Sequence, residues 1–200
     1  MDDFGKERML EKLARLWSQE PLLQLVVDAH VVIDRFNRQF NYWRNVARFF
    51  ARSDYILLLD VDFIPCTDFS IRLRSPEILR RLESGLVAFV LPAFEYLPNY
   101  RNTSYTNFPR DKNALMAAVE QGTIAEFHKG WSRGHTPTNY LRWYKSIEPY
   151  EVEDSDYNHS YEPYIVVKKD VAPWYVYFKD SEMTPLTNLN NESIGAMSGL

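Results

Sequence analysis

A single cysteine, Cys66, in 200 residues excludes an internal disulfide, although it does not fix the redox compartment. An excess of basic charge is also lacking. The net charge of −4 gives no basic face of the kind that phosphate backbones require, so nucleic acid is not an expected partner. No apolar run approaches the roughly 20 residues that span a bilayer. The opening Met1-Asp2-Asp3 is acidic where a signal peptide would carry a basic stretch, so the sequence shows neither a membrane span nor an address. Internal repeats are lacking as well.

What the chain does have is a large apolar fraction, 46% with 15% aromatic, enough for one domain with a sizeable core. Three N-x-[ST] sequons, at Asn102, Asn158 and Asn191, are compatible with a secretory-pathway protein. Helical spacing of Met9, Leu10, Leu13, Leu16 and Trp17 predicts a helix over 3–18, closed by Pro21. A β-rich stretch follows over 25–33. Residues 40–52 read as a helix with Phe40, Trp43, Val46, Ala47 and Phe50 on its apolar side and Arg44, Arg48 and Arg52 mostly away from it.

Tyr55-Ile56-Leu57-Leu58-Leu59 then suits a strand buried on both faces. A helix over 76–84 with Pro76 in its first turn and Gly85 beyond its end leads to a second buried strand over 86–91. This alternation of strands and helices predicts a parallel α/β sheet. Residues 92–110 read as a surface excursion, 111–121 as a short helix, 122–160 as mostly loop and 164–167 as a further strand. The expected division is a domain over 1–178 and a polar, disordered tail over 179–200.

The most informative residues are Asp60 and Asp62, at the end of the apolar strand. Ligands of open parallel sheets bind beyond the carboxyl ends of strands. Two carboxylates emerging there offer hard oxygens to Mg²⁺ or Mn²⁺, ions that also bind substrate phosphates. The competing reading is structural: acidic residues at strand ends also cap helices and satisfy turns, and D-x-D alone is a weak pattern.

Wider context adds a resemblance. The run from Phe36 through Arg48 into Asp54–Asp62, the block Trp131-Ser132-Arg133-Gly134-His135-Thr136-Pro137-Thr138-Asn139-Tyr140 with Trp143, and Tyr161-Glu162-Pro163-Tyr164-Ile165-Val166-Val167 together resemble glycosyltransferase family 49, the LARGE-like and β-1,4-glucuronyltransferase-like proteins. The likeness covers about residues 25–175. It implies a GT-A-type, Rossmann-like fold: a mixed, mainly parallel sheet flanked by helices, here incomplete. It also implies inverting transfer of a sugar, glucuronic acid among the donors of the family, from a UDP-sugar to a glycan acceptor, with Mn²⁺ (or Mg²⁺) as the metal and the Golgi as the location.

Carried over by position, Asp62 is the principal metal ligand, and Asp60 contacts the metal or the nucleotide ribose. Arg44 and Asn45 help shape the nucleotide pocket. Trp131, His135, Thr138 and Asn139 face donor or acceptor sugars, with Trp143 and Tyr140 offering apolar faces. Each has a structural alternative: a solvated helix face for Arg44, core packing for Trp43, and a self-bonded turn for the Gly134–Asn139 loop. Inversion needs a base. Glu162 is the first candidate, with Asp156 and Glu95 behind it.

The sequence departs from the family pattern at both ends. The expected opening strand is not found, and the stretch after Tyr175 holds no histidine to complete a metal site. A truncated domain of doubtful activity is the resulting expectation. The alternative function is a catalytically inactive pseudo-glycosyltransferase that binds or scaffolds.

Overall fold

The computed structural model describes residues 3–33, 39–60, 62–67, 69–101, 103–130, 135–152, 161–171 and 194–196. Contacts divide the chain into two compact units, Met1–Ala51 and Arg52–Leu200. The three sequon asparagines, Trp131 and Asp156 lie outside the described residues.

The first unit contains α1 (Asp3–Gln19), α2 (Pro21–Val26) and α3 (Phe40–Phe50). Pro21 does end α1, and it then opens a second helix, because a proline without its own N–H is well suited to a first helical position. The Gln24 side-chain amide donates to the Trp17 carbonyl at 2.9 Å, tying the two helices together. The β-rich reading of 25–33 is therefore corrected. Its first residues complete α2, and the rest carry no regular structure and have no strand partner among the described residues. With no sheet formed there, the apolar side of α3 stays open: Phe40, Trp43 and Phe50 are exposed, while Arg48 is buried. The core role expected of Trp43, at 36% exposure, is not found.

The second unit holds the sheet. Its strands are β1 (Tyr55–Leu57), β2 (Ala88–Leu91), β5 (Tyr150–Glu151), β6 (Tyr164–Lys168) and β7 (Ile194–Ala196), in the spatial order β1-β6-β2-β7-β5. The hairpin pair β3 (Phe94–Tyr96) and β4 (Ile124–Glu126) stands separately, with Phe94 opposite Glu126. Helices α4 (Phe69–Leu73), α5 (Pro76–Glu83), α6 (Lys112–Glu120) and α7 (Tyr140–Lys145) complete the unit.

A mainly parallel sheet was expected, and that expectation is corrected. β6 runs antiparallel to both neighbours, pairing Leu57 and Phe89 with Val166 from either side. β1 and β2 do point the same way, as a strand-helix-strand passage dictates. They are not adjacent, because a strand from much later in the chain is inserted between them. Only β2 and β7 pair in parallel among the described strands. Ile194–Ala196, which fall in the segment read as tail, are thus part of the sheet.

Alternation along these strands produces two cores. Ala88, Val90, Ile165 and Val167 face Trp143, Tyr150 and Tyr161 on one side. Phe89 and Val166 face Ile78 and Leu82 of α5 on the other. Period-two side-chain direction explains the division.

α5 begins at Pro76 and ends through Gly85, whose φ of +72° is open to glycine without strain. A Cβ there would also come within 2.9 Å of a Val171 methyl. Gly85→Ala is expected to destabilise the fold by about 1–3 kcal/mol, the cost of holding a residue with a side chain in this backbone region, measured by urea denaturation followed by circular dichroism.

Candidate functional site

Pairing of β1 with β6 continues one residue past the strand, the Leu58 amide donating to the Ile165 carbonyl at 3.1 Å. The chain then turns, and the Phe63 amide donates back to the Asp60 carbonyl at 3.1 Å. This turn carries Asp60 and Asp62 out of β geometry at the carboxyl end of β1. Tyr164, the first residue of β6, is placed at the same end by its register opposite Leu91.

The Tyr164 hydroxyl donates to Asp60 Oδ2 at 3.1 Å. Burial raises the pKa of this phenol, and the charge and hydrogen bond of Asp60 add to the effect, followed by the charges of Asp62 and Glu162. The phenol is therefore a neutral donor at every working pH. Of the carboxylates singled out from the sequence, Asp60 bonds this hydroxyl and Asp62 lines the adjoining cavity.

An aromatic wall stands beside them. Phe63 packs at 4.7 Å from both Tyr164 and Phe127, and His135 lies 5.0 Å from Phe127 and 5.8 Å from Tyr164. His128 stacks on Phe127 at 3.8 Å with φ of +53°, and its amide donates to Glu95 Oε1 at 2.9 Å. A cavity of about 550 Å³ opens from this wall, with Asp62, Phe63, Phe127 and Tyr164 among its lining and Glu95, Tyr96 and Arg101 farther along the chain.

His135 is 6% exposed. Its pKa is lowered to about 4, first by burial and then by His128, with Asp60 opposing. At neutral pH it is an uncharged imidazole next to the carboxylates.

The other loop residues have structural duties. Thr138 is 1% exposed, and its hydroxyl shares a hydrogen bond of 3.0 Å with Tyr161, while its carbonyl accepts from the Tyr150 hydroxyl at 2.7 Å. It is enclosed by the core and presents nothing to a sugar, which corrects the substrate role expected of it. Asn139, at φ of +52°, caps α7: its Oδ1 accepts from the Arg142 amide at 3.1 Å. Its polar group is spent on the turn, the alternative that the loop composition left open. The Tyr140 hydroxyl donates to the Ala93 carbonyl at 3.0 Å, and Trp143 is buried and lines the cavity. Arg44 and Asn45 lie half-buried in α3 of the first unit, with Arg44 Nη1 donating to Asn41 Oδ1 at 3.5 Å.

Tyr164 is the site residue that sequence reasoning left without a role. Its signal was present: a polar-tipped aromatic heads an otherwise aliphatic buried strand, where a hydroxyl needs a partner. Phe63, Phe127 and His128 offered no such signal, because their neighbours come together only in the fold.

Among the described residues, no group of three or more His, Cys, Asp and Glu side chains is arranged to hold a metal, and no helix is long and apolar enough to cross a membrane.

A mixed α/β unit with carboxylates at a strand end and an aromatic cavity beside them is an arrangement suited to binding a ligand. A family model described as "Glycosyl-transferase for dystroglycan" matches residues 8–187, and the chain belongs to this family, glycosyltransferase family 49. It is 37% identical over 131 residues to the xylosyl- and glucuronyltransferase LARGE2s of Danio rerio, covering 65% of this chain and 16% of that protein. To the human xylosyl- and glucuronyltransferase LARGE1 it is 36% identical over 131 residues, with the same coverage of 65% and 16%. To the glycosyltransferase-like protein LARGE of Caenorhabditis elegans it is 29% identical over 181 residues, 86% of this chain and 27% of that protein. The chain thus spans 16% of the length of the first two relatives.

The depressed histidine has a thermodynamic consequence. Its pKa is about 4 in the folded chain against 6.5 for an unperturbed imidazole, so the unfolded state binds the extra proton first. Stability from this group is complete well above pH 6.5 and falls as pH drops toward 4, by roughly 3–4 kcal/mol in all. Urea midpoints measured across this range should decline less steeply for His135→Gln than for the parent chain.

Proposed function

We propose that this chain carries the metal- and donor-binding site of a GT-A-type, inverting glycosyltransferase that moves a sugar from a UDP-sugar to a glycan acceptor. The observation that carries this reading is the Tyr164–Asp60 hydrogen bond at the carboxyl end of β1, with Asp62 and Tyr164 both lining the cavity there. Names of the relatives make xylose and glucuronic acid the donor sugars to try first. The proposed location is the Golgi lumen.

The donor set fits a small, hard divalent cation, Mn²⁺ or Mg²⁺. Asp60 and Asp62 supply charged oxygens at an open strand end, and ions of this kind complete their coordination with substrate phosphates and water rather than with an all-protein cage. When bound, the ion neutralises charge on the departing diphosphate. The residues of the chain do the rest. Asp60 and Asp62 would hold the ion, and the Tyr164 hydroxyl, bonded to Asp60 Oδ2, keeps Asp60 in place. The aromatic wall of Phe63, Phe127 and Tyr164 excludes water from one side of the reacting centre. A carboxylate accepts the acceptor hydroxyl's proton as its oxygen bonds to the sugar carbon and the bond to the diphosphate breaks, the electron pair leaving with UDP.

Glu162 is the proposed base, because it stands just ahead of Tyr164, the residue that bonds Asp60 at the carboxyl end of β1. Glu95 is the second choice, since it lines the cavity and one of its oxygens is fixed by the His128 amide. A general base is worth about 10²–10⁴ in rate. Glu162→Gln is therefore expected to lose turnover by about that factor while still binding UDP. Near-normal turnover would transfer the role to Glu95.

The second reading, a binding module without turnover, is favoured by the absence of a third metal-ligating side chain among the described residues. Calorimetric titration of UDP with and without Mn²⁺ tests the site itself. Manganese-dependent binding that disappears in Asp62→Asn is expected. A folded chain that ignores UDP under both conditions refutes the donor site, and binding without transfer from UDP-xylose or UDP-glucuronic acid selects the module.

A further inference from the structure

The cavity beside the aromatic wall, about 550 Å³, falls within the roughly 300–1,000 Å³ of small-molecule sites. Asp62 and Tyr164 line it at the carboxyl end of β1. The same cavity is lined by Phe94 and Tyr96 of β3, Ile124 of β4 and Leu115 of α6. One continuous space therefore joins the carboxylate end of the sheet to the β3–β4 pair and α6.

Its chemistry is uneven. Phe94 packs on Trp143 at 5.1 Å and Tyr96 on Phe108 at 5.1 Å, and all four rings face the cavity as part of its lining. Polar groups are fewer, and several are already bonded. The Tyr164 hydroxyl is given to Asp60, and Asp111 Oδ1 caps α6 by accepting from the Ala114 amide at 2.8 Å. Glu95 Oε1 holds the His128 amide at 2.9 Å, and the Cys66 thiol donates to the Ile64 carbonyl at 3.3 Å.

These walls exclude some ligands and admit others. A sugar ring carries several hydroxyls, and each one buried needs a partner that the ring-lined part does not supply. An anionic group is opposed by charge, because Asp62, Glu95 and Asp111 outnumber the basic Arg101 among the described residues of the lining. An uncharged, flat apolar group meets neither obstacle, since it stacks on rings and asks for no hydrogen bonds.

We propose that the part of the cavity between the β3–β4 pair and α6 is an aglycone subsite, which takes an apolar ring attached to the acceptor glycan. The reacting hydroxyl of the glycan then stays at the Asp62 end of the same space. This rests on the transferase reading given above, and it adds the class of acceptor to that reading: a glycan borne on an apolar, ring-bearing group.

The test compares methyl β-xyloside with 2-naphthyl β-xyloside, which share a sugar and differ in the apolar ring. Each is titrated calorimetrically into the full chain and into Leu115→Trp, which fills the subsite from α6, and UDP with Mn²⁺ is titrated in parallel. The parent chain is expected to bind the naphthyl compound about tenfold or more tightly than the methyl compound, because the added ring is buried. Leu115→Trp is expected to lose that preference and keep its affinity for UDP. Equal binding of the two glycosides by a chain that binds UDP overturns the inference and leaves the donor site standing. Naphthyl binding by a chain that ignores UDP overturns the acceptor assignment together with the donor reading.

A second measurement needs no variant. Nuclear Overhauser contacts from the naphthyl protons to the methyl groups of Leu115 and Ile124 are expected in the parent chain. Contacts confined to the exposed Leu22, Leu25 and Val26 of α2 would mean adventitious binding to the first unit and overturn the subsite.

Discussion

The insertion of β6 between β1 and β2 is the constraint on which the second unit depends. Tyr164, Ile165, Val166 and Val167 are all buried, and they serve both cores at once, Val166 facing α5 and Ile165 and Val167 facing Trp143 and Tyr161. Full burial of side chains of this size is worth about 1.5–3 kcal/mol each. A hydrogen bond to a charged group contributes about 1.5–3 kcal/mol in total. The position of Tyr164 is therefore set by the strand behind it, and the bond to Asp60 exploits a location that packing has already fixed.

The same strand explains why carboxylates from distant parts of the sequence come to one end of the sheet. Asp60 and Asp62 leave the end of β1, and Glu162 precedes β6. Running antiparallel, β6 starts where β1 stops. A strand of the opposite direction would have placed Tyr164 and Glu162 at the far edge of the sheet. The Thr138–Tyr161 and Tyr150–Thr138 hydrogen bonds brace the loop that delivers His135 to the aromatic wall. The residues of that loop divide between scaffolding, in Thr138 and Asn139, and the site, in His135.

Much of this was legible in local pattern. The apolar runs at 55–59, 86–91 and 164–167 are strands, with ends shifted by a few residues, because continuous apolar residues bounded by turns have few other uses. The helix over 3–18 was equally plain from periodicity and that over 76–84 from Pro76 and Gly85, and the short helix read over 111–121 is found as Lys112–Glu120. Asp60 and Asp62 stood out by their place after an aliphatic strand. Strand direction was not legible, because an apolar run looks the same read either way. The β-branched run at 25–33 misled because propensity for a strand means little without a neighbouring strand to pair with. Thr138 misled for a related reason: a loop rich in polar residues looks the same whether its hydroxyls face a ligand or are satisfied internally by Tyr161.

The separation between Tyr164 and Asp60, 104 residues, carries a further implication for how the protein is made. During synthesis β1 and β2 leave the ribosome long before the strand that joins them. At roughly 5–20 residues per second, several seconds pass with two apolar strand edges unpaired. Long-range pairing of this kind is slow and exposed to aggregation. The site is correspondingly a late product of folding. Its two aspartates are translated early, yet their arrangement exists only after β6 docks, so a chain that shows the site has already closed its sheet.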